Sequence, residues 1–371
     1  MPSPVEISLK VSAALAVGAP VVALESTIIS HGLPRPDNLA AAQKFESILG
    51  TQGVTPATIA LIDGVPKVGL TPDDLERIAA DESAVKVSNR DIAISMARKM
   101  TGGTTAAATS VLAARAGIRV FATGGLGGVH RGAADTFDES ADLTVLSRTP
   151  ITVVSAGVKS ILDIPATLER LETLSVAVVG YRTWRFPAFW LADSGYDLDW
   201  RVDSPKEVAD IMAARQAFGE LSALLVANPL APADQLDPEV LSGALEAALV
   251  AAANSGTRGK AVTPFLLDHI QQVTGGVSIE VNLTIAQGNI DLAGQIATSW
   301  SERAVLDRGD EPRCPPEFPD PPTGGTHPPS PPSGRTHPAG PPLASWSAGT
   351  STTTCWSSRW AARRPAAIPA R

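Results

Sequence analysis

Short apolar runs rich in β-branched residues alternate along the chain with longer stretches whose apolar residues recur every three or four positions. The runs at Pro20–Leu24, Ala57–Ile62, Ala84–Val87, Arg119–Ala122, Ile151–Ser155, Val176–Val179, Ala223–Ala227 and Gly276–Val281 predict strands. The helical period predicts helices over Asp37–Leu49, Pro72–Ala80, Asp91–Met100, Thr105–Ala116, Ile161–Leu174, Pro205–Ala217, Pro238–Ala253, Pro264–Val273 and Leu283–Ser301. Such alternation predicts an α/β fold, with a mainly parallel central sheet covered on both faces. The pattern spans residues 1–303 and then stops. Residues 304–371 are crowded with Pro, Gly, Ser and Thr, repeat Thr-His-Pro at 326–328 and 336–338, and show neither period. That composition predicts a disordered tail outside the folded part.

The pattern bounds the class of protein before it says anything about chemistry. A chain of 371 residues with 44% hydrophobic content can bury a sizeable core. A formal net charge of -8 speaks against a nucleic-acid footprint, which needs basic clusters. No apolar run is long enough for a transmembrane helix. The opening Met-Pro-Ser-Pro-Val-Glu lacks a basic flank followed by an apolar region, so no secretory leader is expected. Both cysteines, Cys314 and Cys355, fall in the tail. The fold is therefore expected to lack disulfides and thiolate metal sites, in keeping with a reducing cytoplasm.

The candidate chemistry gathers at the carboxyl ends of the predicted strands, where open α/β sheets bind ligands. Glu25 directly follows the Pro20–Leu24 run, and a partly desolvated carboxyl there suits a general acid. A local cap or a pair with Arg35 is the plainer alternative. Lys159 follows Ile151–Ser155 next to Gly157. An amine in apolar surroundings becomes a nucleophile that forms Schiff bases; a solvated lysine at a helix start is the alternative. Lys86, within Ala-Val-Lys-Val-Ser, reads as a half-buried lysine that needs an anion beside it. Thr101-Gly-Gly-Thr-Thr reads as a glycine-rich turn opening a helix, hence an anion site. In a second glycine-rich turn, 123–132, His130 and Arg131 add donors suited to phosphate. Its spacing does not match a dinucleotide fingerprint. Asp138 and Asp142, one helical turn apart, can hold a hard divalent cation such as Mg²⁺ or Mn²⁺, or can act as a cap and an ion pair.

Taken together, these segments are more specific than any one of them. Leu24-Glu-Ser-Thr-Ile-Ile-Ser-His-Gly-Leu-Pro, Ala-Val-Lys86-Val-Ser, Gly-Gly-Thr-Thr-Ala, Phe-Ala-Thr-Gly-Gly-Leu-Gly-Gly-Val-His-Arg, Phe-Asp138-Glu-Ser-Ala-Asp142-Leu and Ser-Ala-Gly-Val-Lys159-Ser-Ile-Leu-Asp resemble the pseudouridine-5′-phosphate glycosidase family. Val262-Thr-Pro-Phe-Leu-Leu and Val281-Asn282-Leu-Thr-Ile-Ala extend the resemblance, which covers about residues 5–303 in the family's order. The resemblance implies an α/β/α sandwich, a homotrimer, and one Mn²⁺ per subunit. It implies reversible cleavage of pseudouridine 5′-phosphate, with water, to uracil and ribose 5-phosphate. It assigns Glu25 as proton donor, Lys159 as nucleophile and Asp138 as metal ligand. Lys86, Ala106, Ser140, Ala141 and Asp142 fall on substrate-contacting positions.

The bond to be cut is carbon–carbon, so two carboxylates acting on a glycosidic oxygen have nothing to protonate. An amine, an acid and a phosphate anchor answer that difficulty, and candidates for all three are present. Two stretches depart from the family pattern. One is Gly180-Tyr-Arg-Thr-Trp-Arg-Phe-Pro-Ala-Phe-Trp190; the other is the polar Gly256-Thr-Arg-Gly-Lys. The alternatives are another Schiff-base lyase of sugar phosphates, or a catalytically silent sugar-phosphate-binding paralogue.

Overall fold

In the computed structural model, residues 4–257 and 262–309 are described, with side chains through residue 303. The sheet runs in the order Glu6–Ile7, Val65–Val68, Thr55–Ile62, Val21–Leu24, Val120–Ala122, Thr152–Ser155, Leu224–Ala227, Ala177–Tyr181, Arg201–Val202. From Thr55–Ile62 to Arg201–Val202 every neighbouring pair is parallel. Val65–Val68 and Gly102–Thr104 pair antiparallel with Thr55–Ile62, and Val85–Val87 pairs parallel with Gly102–Thr104. The sheet is thus mixed, with a parallel centre.

Successive side chains of a strand point to opposite faces, and the two faces have separate cores. Val21, Ala23, Phe121, Val153 and Leu225 pack on one side with Leu112, Leu143 and Ile151. Val22, Leu24, Val120, Ala122, Val154 and Val226 pack on the other with Phe45, Leu49, Ile290, Ala293 and Ile296. Ala106–Ala116 and Ala141–Leu146 lie together on the first side. On the second side the 33-residue helix Val277–Gly309 crosses Asp37–Thr51, Pro205–Phe218 and three central strands. This is the expected α/β/α sandwich.

Register brings Leu24, Ala122 and Val154 level across three strands, with Ala227 one step on, beside Ser155. Glu25, Thr123 and Asn228 therefore leave the sheet along one edge. Most predicted elements agree with the structure to within a few residues, because their ends carry caps. Thr71 and Asp74 form a capping box before Pro72–Ala80, and Gly117 and Gly219 close their helices in the left-handed region.

Two expectations are corrected. Gly276–Val281 is not a strand. Val277 opens the long helix, after Gly275 and Gly276 turn the chain at positive φ. Val281 and Ile285 lie one helical turn apart in the core, so burial at helical spacing overrides the β-branched composition. Gly102–Thr104 is a strand and not a turn. Its glycines permit close backbone approach: a Cβ on Gly102 would lie 2.5 Å from the Val85 carbonyl oxygen and 2.6 Å from the Val87 side chain. The helix Leu9–Val17 and the strand Val65–Val68 went unrecognised in the sequence pattern. The long helix continues through residue 303 to Gly309. Residues 310–371, most of the segment read as a disordered tail, and residues 258–261, which include the last three of the polar departure, lie outside the described residues.

Gly102→Ala drives a methyl group into backbone on the neighbouring strand. It is expected to lower stability by about 1–3 kcal/mol, read as a lower urea midpoint with an unchanged slope.

Candidate active site

The pairing between Val120–Ala122 and Thr152–Ser155 does not stop where the strands end: it stays parallel as far as Leu126 and Val158 and closes on an antiparallel bridge between Val129 and Asp163. Thr123 N–H donates to the Val154 carbonyl (3.0 Å) and Ala156 N–H to Gly124 (3.0 Å). Leu126 N–H donates to Gly157 (3.0 Å), Lys159 N–H to Leu126 (3.1 Å) and Asp163 N–H to Val129 (2.9 Å). The glycine-rich segment 123–129 thus runs as a backbone strip beside 154–163. The glycines admit side chains against it. A Cβ on Gly125 would lie 2.6 Å from the Phe189 ring, and one on Gly128 would overlap Thr167. Gly157, at φ +76°, lets the partner segment turn under the Pro187 carbonyl.

Both candidate catalytic side chains are fastened to this strip. Thr123 Oγ1 donates to Glu25 Oε1, and Thr27 Oγ1 donates to Glu25 Oε2. Two residues beyond Thr123, the Gly125 carbonyl accepts from Lys159 Nζ at 2.7 Å. Both side chains are half-buried. Thr27 and Thr123 were not singled out from sequence; a hydroxyl two residues after Glu25 was the only hint.

Asp142 is buried, and each of its oxygens takes an N–H: Ala107 at 2.9 Å and Gly127 at 2.8 Å. The helix start that the sequence suggested for a ligand anion therefore receives a protein carboxylate. Through Ala107, that carboxylate ties the helix start to the strip, next to Ala106, which is buried at the first helical position. Ser140 caps the helix Ala141–Leu146, accepting from Asp142 N–H at 3.2 Å, and its own N–H donates to Gly128 at 2.9 Å. Asp138 lies before that cap, outside any helix, so it and Asp142 do not share a helical face. Ala141 is exposed at the helix start.

Asp138 is partly exposed, with Oδ2 4.0 Å from His130 Nδ1, and its carbonyl accepts from His130 N–H at 3.0 Å. Burial pushes the His130 imidazole below its ordinary value. Asp138 opposes this, and the ammoniums of Lys159 and Lys86 push further down. His31, exposed as a whole residue at the rim, is also held low, by partial burial of its ring and then by Lys86. Both environments disfavour the charged imidazolium. Lys86 itself is exposed, not half-buried: its strand has only three residues and presents the side chain outward. Its charge still reaches His31 and His130. Arg131 is exposed.

Among the described residues, no group of three or more His, Cys, Asp or Glu surrounds a point that a metal could occupy. A hard cation that keeps most of its waters needs only one or two carboxylates, and the partly exposed Asp138 carboxylate fits that demand. The divergent stretch is part of the site's wall. Phe186 and Trp190 are fully buried, and Trp190 Nε1 donates to Asn282 Oδ1 at 2.6 Å. Arg182 lies over the Tyr181 ring.

Asp142→Asn replaces an acceptor for two buried N–H groups by an amide that offers one oxygen. It is expected to cost about 1–3 kcal/mol, measured by chemical denaturation.

The family model of indigoidine synthase A like proteins matches residues 10–299. A pseudouridine-5′-phosphate glycosidase of Saccharopolyspora erythraea is 59% identical over 295 residues, 80% of this chain and 97% of that relative. One from Frankia alni is 58% identical over 302 residues, 81% of this chain and 83% of that relative. Among solved structures, the prealnumycin C-glycosynthase AlnA in complex with ribulose 5-phosphate superimposes with a TM-score of 0.77 at 35% identity, covering 82% of this chain and all of that one. An indigoidine synthase A-like protein of Thermotoga maritima gives 0.74 at 34% identity, covering 81% and 98%. No described helix is long and apolar enough to cross a membrane. The chain belongs to the indigoidine synthase A-like family and, within it, to the pseudouridine-5′-phosphate glycosidases.

Proposed function

We propose that the protein cleaves the C1′–C5 bond of pseudouridine 5′-phosphate with water, reversibly, to give uracil and ribose 5-phosphate. The observation that carries this is the strip Thr123–Gly125, which binds Glu25 at one end and the Lys159 amine at the other. An acid and an amine fixed to one short backbone segment are the pair needed to open a ribose ring and capture its C1′.

Lys159 Nζ bonds to C1′ as the C1′–O4′ bond breaks, and O4′ takes the proton carried by Glu25. The nitrogen, now an ammonium, gives a proton to the Glu25 carboxylate, and the lone pair so regained expels uracil. The C1′–C5 bond breaks, its electron pair goes to C5, and C5 takes up a proton. Water adds to the resulting iminium and releases ribose 5-phosphate with free Lys159. Thr27 and Thr123 hold the Glu25 carboxyl, and the Gly125 carbonyl orients the amine. Lys86, with His130 and Arg131 nearby in the same rim, supplies charge and donors for the phosphate. Ala106 and the Ser140–Ala141–Asp142 segment line the substrate.

In this reading Asp138 would hold a Mn²⁺ ion. When bound, it supplies positive charge close to the substrate. The subunits are read as a cytoplasmic homotrimer acting on a small sugar phosphate, with no nucleic acid or membrane partner; the family resemblance and the acidic net charge support this.

Incubation with pseudouridine 5′-phosphate and Mn²⁺ should release free uracil, followed by chromatography; no uracil would refute the assignment. Borohydride added during turnover should trap ribose 5-phosphate on Lys159, located by peptide mass spectrometry. Lys159→Ala should remove the adduct and nearly all turnover, whereas Lys86→Ala should mainly raise KM. A trapped sugar on Lys86 would reverse the roles. Chelation by EDTA should abolish activity and Mn²⁺ restore it. Full activity with no bound metal by elemental analysis would remove the ion from the scheme.

A further inference from the structure

The helix Val277–Gly309 turns an apolar face toward the sheet, with Ala286, Ile290 and Ala293 buried against it. Asn289 sits in that helix and is only 1% exposed. A buried amide costs free energy unless its polar atoms are partnered. Asn289 has partners for both ends. Its Nδ2 carries two N–H groups, and two carbonyls receive them: Thr123 at 2.8 Å and Gly124 at 3.1 Å. Its Oδ1 accepts from Asn228 Nδ2 at 3.0 Å. Asn228 is itself fixed at the end of Leu224–Ala227, where its N–H donates to Ser155 at 2.8 Å.

These contacts fall on the carbonyls immediately before Gly125. The residue that lends a hydroxyl to Glu25 is Thr123, and the residue that receives the Lys159 amine is Gly125. A single side chain on the far helix therefore clamps the peptide units between the two attachments. We infer that Asn289 is a positioning residue: braced by Asn228, it fixes the Thr123–Gly125 strip and so sets the acid and the amine relative to each other. Neither asparagine was singled out from sequence. The inference rests on the proposed lysine–glutamate chemistry for its kinetic consequence, but not for its structural one.

The test uses Asn289→Leu, which keeps the volume but removes both donors, with Asn289→Asp and Asn228→Ala as companions. Two readouts are needed. The first is uracil release. Misalignment of groups made rigid only for the reaction should lower kcat by about tenfold or more while KM stays within about threefold. If Asn289 acts through the strip, adding Thr123→Val to Asn289→Leu should cost much less than it does in the wild-type background, because coupled residues are not additive.

The second readout needs no turnover. The rate at which trinitrobenzenesulfonate labels Lys159, followed by mass spectrometry, should rise about threefold or more in Asn289→Leu, as the amine loses its fixed acceptor. Should Asn289→Leu fail to fold, Asn289→Asp and Asn228→Ala carry the same comparison. Unchanged Lys159 labelling in a folded variant overturns the inference, as does a rise in KM with unchanged kcat. If the wild-type protein releases no uracil, the proposed reaction has failed, while the labelling comparison still decides the role of Asn289.

Discussion

Everything at the catalytic edge depends on backbone pairing that outlasts its strands. Where Ala122 and Ser155 end as regular strand, the two segments stay parallel as far as Leu126 and Val158, and an antiparallel bridge then joins Val129 to Asp163. A loop free to wander would cost ordering entropy each time substrate bound. Here that cost is met in folding, and the backbone arrives already shaped. The glycines make this possible mainly by omitting side chains. Phe189, Thr167 and Ser140 press into the places where Cβ atoms would sit at Gly125, Gly128 and Gly127. Their work is close packing of protein on protein, with any ligand contact added to that.

Charge is arranged around the same strip. The ammoniums of Lys86 and Lys159 are both felt at His130, and Lys86 is felt at His31. Asp138 is the carboxylate facing His130, while Asp142 is committed to two backbone N–H groups. The two aspartates that look equivalent in sequence thus do different work. Asp142 ties the helix Ala106–Ala116 to the strip and shapes the floor. Asp138 remains partly in contact with solvent. A rim that carries Lys86, Arg131, His31 and His130 suits a phosphorylated sugar.

Much of this was legible in the sequence because it is local. Strands over Val21–Leu24, Val120–Ala122 and Leu224–Ala227 follow from runs of buried β-branched and small residues, and helix starts follow from Thr71, Ser204 and Asp237 as caps. Glu25 and Lys159 were legible because each directly follows such a run. What was not legible depends on contacts far apart in the chain. Val277–Val281 has strand composition but is helical because its core partners lie at helical spacing. Gly102–Gly103 has turn composition but is a strand because three chains crowd together there. The exposure of Lys86 could not be read from its valine neighbours, since a three-residue strand beside the sheet's antiparallel part leaves that face open. Thr123 and Asn289 are separated by 166 positions, and only the fold brings the amide to the carbonyl.

The central claim is that one backbone strip presents Glu25 and Lys159 to the same sugar. It is tested most directly by a crystal structure of the enzyme after borohydride reduction in the presence of pseudouridine 5′-phosphate. The expected result is a ribityl chain joined through C1′ to Lys159 Nζ, with the former ring oxygen, O4′, within hydrogen-bond distance of Glu25 and the Thr123–Gly125 strip unmoved. A sugar attached elsewhere, or one attached to Lys159 with O4′ turned away from Glu25, would contradict it.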